Sequence, residues 1–296
     1  MVSKRSLLCF IATLLAPALP LHAAAAKKDT KASDLPKPSQ VVEYKKAGDV
    51  ALHLHIFNPP GHKASDKTPA IVLFFGGGWV GGSPQQFFGQ CGYLASRGMV
   101  AISAEYRTKN ANGTSPQECV KDGKSAIRWV RGHAAELGID PEKIAAGGGS
   151  AGGHVAAATG TLKGFNETDE STDISCRPNA LVLFNPVFDN GPKGYGYERV
   201  KDYWKEFSPI DNIDAKTPPA VVFLGTSDKL IPVETGKRFQ KLMQEAGVRC
   251  DLHLYDGQPH GFFNKEKYVE TLIEADKFLA SLGYLKGEPT ISTTGK

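Results

Sequence analysis

Three short segments carry residue types that together can perform nucleophilic chemistry. The stretch IAAGGGSAGGH at 144–154 contains Gly148-Gly149-Ser150-Ala151-Gly152, a serine flanked at two positions by glycine. A serine at a strand end is presented as a nucleophile only if the chain turns sharply into a helix. That turn crowds the flanking positions, and glycine there removes the Cβ clash. It also aims the first amides of the helix at the hydroxyl. Phe75-Gly76-Gly77-Gly78-Trp79 is a second glycine run. Attack on a carbonyl creates an oxyanion that needs fixed donors, and the amides of Gly77, Gly78 and Ala151 are the candidates. Asp228, in GTSDKLIP, follows the apolar run at 220–224, and His260, in DGQPHGF, follows the next strand, at 251–255. In that arrangement His260 would take the serine proton and return it to the leaving group, while Asp228 would fix the imidazole tautomer.

Rival assignments are few. His154 lies one helical turn beyond Ser150 and reads as a packed helix residue. His253 alternates within a strand, and His53 and His55 sit on an early one. Asp256 is the rival acid because it precedes His260 closely, and Glu105 reads as a structural ion-pair partner. A phosphate loop would need Gly-Lys-Ser/Thr, which is absent. The run from Gly147 to Gly152 matches a dinucleotide fingerprint only loosely and falls mid-chain. His-Glu-x-x-His zinc patterns are absent too.

The elements that must position these residues alternate in type. Residues 51–57 (ALHLHIF) alternate as a half-buried strand does. Unbroken apolar runs at 70–75, 100–104, 180–184 and 220–224 suit central parallel strands covered on both faces, and 144–146 is a short strand before the serine. Helical spacing appears at 116–134, 233–246 and 267–282, with a short helix from Val155 to Ala158 after the serine. Strands alternating with helices predict an α/β domain around a mostly parallel sheet, opened by antiparallel strands near 41–57. The stretch 187–219, rich in Gly, Tyr, Trp and Asp, reads as an excursion over the rim where ligands bind in such folds. Its aromatics Tyr195, Tyr197 and Trp204, with Trp79, suit either stacking or packing; Trp79 and Trp204 are the candidate substrate contacts.

FFGGGWVGG, the AEYR segment (104–107), KSAIRWVR, GIDPEKIAAGGGSAGGH, GTSDKLIP and PHGFF together resemble the α/β-hydrolase superfamily, within it the hormone-sensitive-lipase-like and acetyl-xylan-esterase-like exported bacterial esterases. The chain order Ser150, Asp228, His260 is that of the superfamily. Phe75 stands where the HGGG pattern of such enzymes opens with His, which removes a side-chain bond but not the amides. The resemblance implies a mostly parallel sheet with helices on both faces, no large cap domain, and a serine esterase without metal or organic cofactor. Leader and linker occupy the residues that cap helices would need. That implies an open site suited to esters on a large carrier, such as acetyl or other short acyl groups on a polysaccharide. A serine peptidase of the same fold and a non-catalytic binder that kept the fold remain alternatives.

The chain has 296 residues, 41% hydrophobic and 22% charged, an ordinary globular balance for one large domain. Its formal net charge is +4, and two basic residues, Lys4 and Arg5, fall in the leader. The remainder is nearly neutral and gives no electrostatic footprint for nucleic acid. Residues 1–26 have the layout of a signal peptide: Lys4-Arg5, an apolar run broken by Pro17 and Pro20, then small residues before Lys27. This predicts an exported, periplasmic or secreted, protein with no membrane span in the mature chain. Residues 27–40 read as a linker, 41–285 as the catalytic domain and 286–296 as a mobile tail. Export would let disulfides persist among Cys91, Cys119, Cys176 and Cys250; of three pairings, Cys91 with Cys119 and Cys176 with Cys250 is the one favoured over free thiols. Sequence leaves the oligomeric state open.

Overall fold

The computed structural model describes Met1 and residues 35–292; the expected leader, most of the expected linker and the last four residues lie outside the described residues. Eight strands form one sheet: β1 (Gln40–Ala47), β2 (Val50–Phe57), β3 (Thr68–Phe74), β4 (Val100–Ala104), β5 (Ile139–Gly149), β6 (Ala180–Phe184), β7 (Ala220–Gly225) and β8 (Cys250–Tyr255). The order is β1-β2-β4-β3-β5-β6-β7-β8. The β1–β2 and β2–β4 pairs are antiparallel and all the others parallel. The helices are α1 (Phe88–Ser96), α2 (Lys109–Asn112), α3 (Pro116–Gly132), α4 (Ala151–Thr161), α5 (Tyr197–Val200), α6 (Trp204–Phe207), α7 (Val233–Glu245) and α8 (Tyr268–Ser281).

Burial follows the sequence pattern. Every residue of β4, β6 and β7 is buried. Successive strand residues point to opposite faces, so both faces of the sheet are covered. On β2 the alternation reappears as buried Leu52, Leu54 and Ile56 against half-exposed His53 and His55. Pro116 at the first helical turn and a Ser115–Glu118 capping box start α3 where the periodicity places it.

Three differences have physical reasons. Strand β5 begins at Ile139, five residues before the apolar run, because Ile139 already pairs with Thr68 of β3; the polar residues 140–143 form an irregularity without β3 partners, and pairing resumes at Ile144 with Ala70. Helix α1 has no amphipathic signal in its sequence, FGQCGYLAS. Its glycines let neighbours close in: a Cβ on Gly92 would meet Pro36 at 2.6 Å, and one on Gly89 would meet the Tyr268 hydroxyl at 2.8 Å. Both expected polar ends are also tied to the domain where they meet it. Leu35 packs on the core and Ser39 N–H donates to Ile56 O at 2.7 Å. Arg97 donates to Lys286 O and Gly287 O, and Thr290 N–H to the Tyr93 hydroxyl.

The favoured cysteine pairing is not present: all four are free thiols. The Cys119 thiol donates to Arg107 O at 3.1 Å, and Cys91 and Cys250 are buried among apolar side chains, where free cysteine packs as a small hydrophobe. No helix of the described residues is long and apolar enough to cross a membrane.

Candidate active site

Ser150 occupies the junction of β5 and α4 with φ 55° and ψ −120°, a backbone region that non-glycine residues avoid. Three hydrogen bonds hold it there: Ser150 N–H to Phe184 O, and the Ser150 carbonyl accepting from His154 and Val187. The flanking glycines are required by contact. A Cβ on Gly152 would lie 2.1 Å from Phe74 O and 2.2 Å from Phe75 O; one on Gly148 would lie 2.6 Å from Phe74 O. The elbow therefore presses directly on the end of β3, from which the glycine loop departs.

His260 and Asp228 arrive on loops after β8 and β7. His260 Nε2 accepts from the Ser150 hydroxyl at 2.9 Å, and Nδ1–H donates to Asp228 Oδ2 at 2.6 Å. The other oxygen of Asp228 accepts from the backbone N–H groups of Leu230 and Ile231, at 2.8 and 3.0 Å, which fixes the carboxylate plane. All three residues converge at the carboxyl edge of the parallel strands, and Ser150 and His260 line a cavity of about 470 Å³.

Gly77 and Gly78 line the same cavity, and neither N–H has an acceptor among the described residues. Gly77 has φ 135°, and a Cβ there would strike Gly81 O at 2.1 Å. Ala151 opens α4, where first-turn amides have no intrahelical acceptor. The loop is held from three sides. Gln86 Oε1 accepts from Gly76 N–H at 2.6 Å. The Tyr106 hydroxyl donates to Phe75 O at 2.6 Å, with its ring stacked 4.1 Å from that of Phe75. Arg199 donates to Gly78 O while lying over the Trp79 and Tyr195 rings. Phe75 thus serves as a packed anchor where the common pattern has His.

The rivals sit elsewhere. His154 is fully buried, its Nε2–H donates to Phe207 O at 2.9 Å, and burial pushes its pKa down to about 3. Asp256 accepts from the Thr226 hydroxyl. Glu105 bonds His53 and His55 across β2 and β4. The two tryptophans assigned to substrate are corrected. Trp79 is 1% exposed and has a positive φ of 60°, and its indole is wedged against His154, Phe207 and Tyr195. Trp204 packs against Gly191 and lies outside the cavity lining. Tyr195 is the aromatic residue of the 187–219 excursion that does line it. Sequence reading also missed Gln86 and Asn185, whose polar side chains reach the site only through tertiary convergence.

Residues 54–189 match the family model described as BD-FAE, and residues 195–284 match the dienelactone hydrolase family. Esterase 2 of Thermogutta terrifontis, in its apo form, superposes with a TM-score of 0.81 at 45% identity, covering 84% of this chain and 96% of that one. The chain belongs to the α/β-hydrolase serine esterases. Other structures of esterase 2 show it with propionate or butyrate bound and phosphonylated by sarin. This esterase is also similar to the probable carboxylic ester hydrolase LipM of Mycobacterium tuberculosis, at 26% identity over 78% of the chain and 58% of LipM. An acetylxylan esterase of Xylanibacter ruminicola matches at 27% identity over 65% of the chain and 41% of that protein. The chain spans about half the length of the curated relatives it matches.

Proposed function

We propose that the protein hydrolyses short-acyl carboxylic esters through an acyl-enzyme on Ser150. The observation that carries this reading is the unbroken line from Asp228 through His260 to the Ser150 hydroxyl, at 2.6 and 2.9 Å, beside unpaired glycine amides. His260 takes the serine proton as Oγ attacks the carbonyl carbon. The amides of Gly77, Gly78 and Ala151 receive the oxyanion, and Asp228 stabilises the imidazolium. Collapse releases the alcohol, which takes the proton from His260. Water then repeats the sequence on the acyl-enzyme.

Propionate and butyrate as bound molecules of esterase 2 support a short acyl group, for which the cavity of about 470 Å³ has room. Within that class the substrate we infer is an acetyl or similar acyl group on a carbohydrate, and the enzyme acts after export. Support comes from the leader pattern and from similarity to an acetylxylan esterase. The test is kcat/KM across p-nitrophenyl esters of increasing chain length, together with acetate release from acetylated xylan, acetylated pectin and simple esters. The expected result is a maximum at acetate to butyrate, with release from at least one acetylated polysaccharide. Preference for long acyl chains would overturn the short-acyl reading, and release from simple esters alone would overturn the carbohydrate.

A further inference from the structure

We propose that Asn185 is a further catalytic residue, whose side-chain N–H groups bond the oxygen of the departing alcohol. The inference rests on the acyl-enzyme reading above. Asn185 follows β6 with φ 33°, is fully buried in the fold, and is pinned by its own N–H bond to Phe223 O at 2.7 Å. Its Oδ1 accepts from Gly261 N–H at 3.0 Å. Because that amide needs an acceptor, the side-chain orientation is settled, and Nδ2 is the atom facing the reacting groups. Nδ2 lies 3.5 Å from His260 Nε2, and Asn185 lines the cavity with Ser150 and His260. The Nε2 lone pair is already engaged by the Ser150 hydroxyl. Among the described residues Nδ2 has no other acceptor. A buried donor left in that state is costly and gains a partner when an oxygen enters beside Nε2.

The reaction brings such an oxygen there. In acylation the bond from Oγ to the carbonyl carbon forms and the serine proton moves to Nε2. On collapse the bond from that carbon to the alcohol oxygen breaks, and its electron pair stays on the oxygen. That oxygen takes the proton from Nε2, so it must sit within hydrogen-bond reach of Nε2, in the cavity that Asn185 also lines and whose Nδ2 is 3.5 Å from Nε2. Asn185 transfers no proton. It donates to the oxygen as negative charge grows, while the glycine amides serve the carbonyl oxygen of the same intermediate.

The experiment compares kcat/KM, which reports acylation, for ethyl acetate and p-nitrophenyl acetate with wild-type enzyme, N185G and N185D. Glycine tolerates the positive φ and removes both side-chain contacts; aspartate keeps the acceptor for Gly261 N–H and removes the donor. Ethoxide is a poor leaving group, whereas p-nitrophenolate departs without help. Both variants are expected to lose about tenfold or more on ethyl acetate, and about threefold or less on p-nitrophenyl acetate. Equal losses on the two esters would overturn the proposal. So would N185D keeping the wild-type ratio while N185G loses it, because Asn185 would then act only by holding the His260 loop. Should N185G fail to fold, N185D alone carries the comparison. Wild-type enzyme that turns over neither ester would remove the esterase reading itself, a different result.

Discussion

Acid should destabilise this protein, and buried His154 is the group responsible for a defined part of that loss. Its imidazole is fully buried between Trp79 and Phe207, with Nε2–H bonded to Phe207 O and Nδ1 without a partner. Burial pushes its pKa from the ordinary value of 6.5 down to about 3. The unfolded chain therefore binds a proton that the folded chain refuses. The contribution is present in full above pH 6.5 and is lost as pH falls from there towards 3. At about 1.4 kcal/mol per unit, the loss reaches about 2 kcal/mol at pH 5 and about 4 kcal/mol at pH 3. Urea unfolding of wild type and His154→Gln at about pH 7.5 and about pH 5 measures it, since glutamine can still donate to Phe207 O and does not titrate. Wild type should lose about 2 kcal/mol more than the variant across that interval. Equal losses would refute the reasoning, because every other titrating group is common to both proteins.

Gly152→Ala should lower the melting temperature and abolish ester turnover together. Its Cβ would fall 2.1 Å from Phe74 O, so relief must move the end of β3 and with it the glycine loop; the expected cost is about 1–3 kcal/mol, and normal activity would contradict it. Asp228→Asn should leave the melting temperature nearly unchanged while kcat falls by about 10³–10⁴, since it disturbs the His260 tautomer; turnover within tenfold of wild type would contradict that role. Lys124 is buried and donates to Leu162 O and Gly164 O beyond the end of α4, and burial lowers its pKa to about 8. The folded chain thus sheds this proton before the unfolded one does. Stability should rise by about 1–2 kcal/mol from about pH 7.5 to about pH 9.5 relative to Lys124→Met, and parallel urea midpoints would exclude it.

What could be read in the sequence was whatever local physics dictates. The glycines around Ser150 follow from the sharp strand-to-helix turn itself, although the atoms they make room for, Phe74 O and Phe75 O, lie on β3 and just beyond its end, and Asp228 and His260 each sit a few residues past a strand end. Burial on both faces made β4, β6 and β7 unbroken apolar runs. What stayed hidden depends on distant segments. Asn185 looks like a loop residue until β6 sets it beside Gly261, and Gln86 looks like a surface amide until it caps Gly76. Arg199 becomes an anchor of the glycine loop only because the 187–219 excursion folds back onto it. Trp79 shows the limit of residue type: an indole after a glycine run suits substrate or core equally, and its packing against His154, Tyr195 and Phe207, all distant in sequence, decides for the core. The cysteines behave likewise, because spacing along the chain carries no information on which thiols the helices bring near each other.

The central claim, that Ser150 is the nucleophile activated by His260, is tested most directly by covalent capture. Intact protein treated with a fluorophosphonate probe and analysed by mass spectrometry should gain a single adduct, located on the peptide carrying Ser150. Ser150→Ala should gain none and should lose p-nitrophenyl acetate turnover by orders of magnitude. An adduct on another residue, or turnover that survives the substitution, would contradict the account.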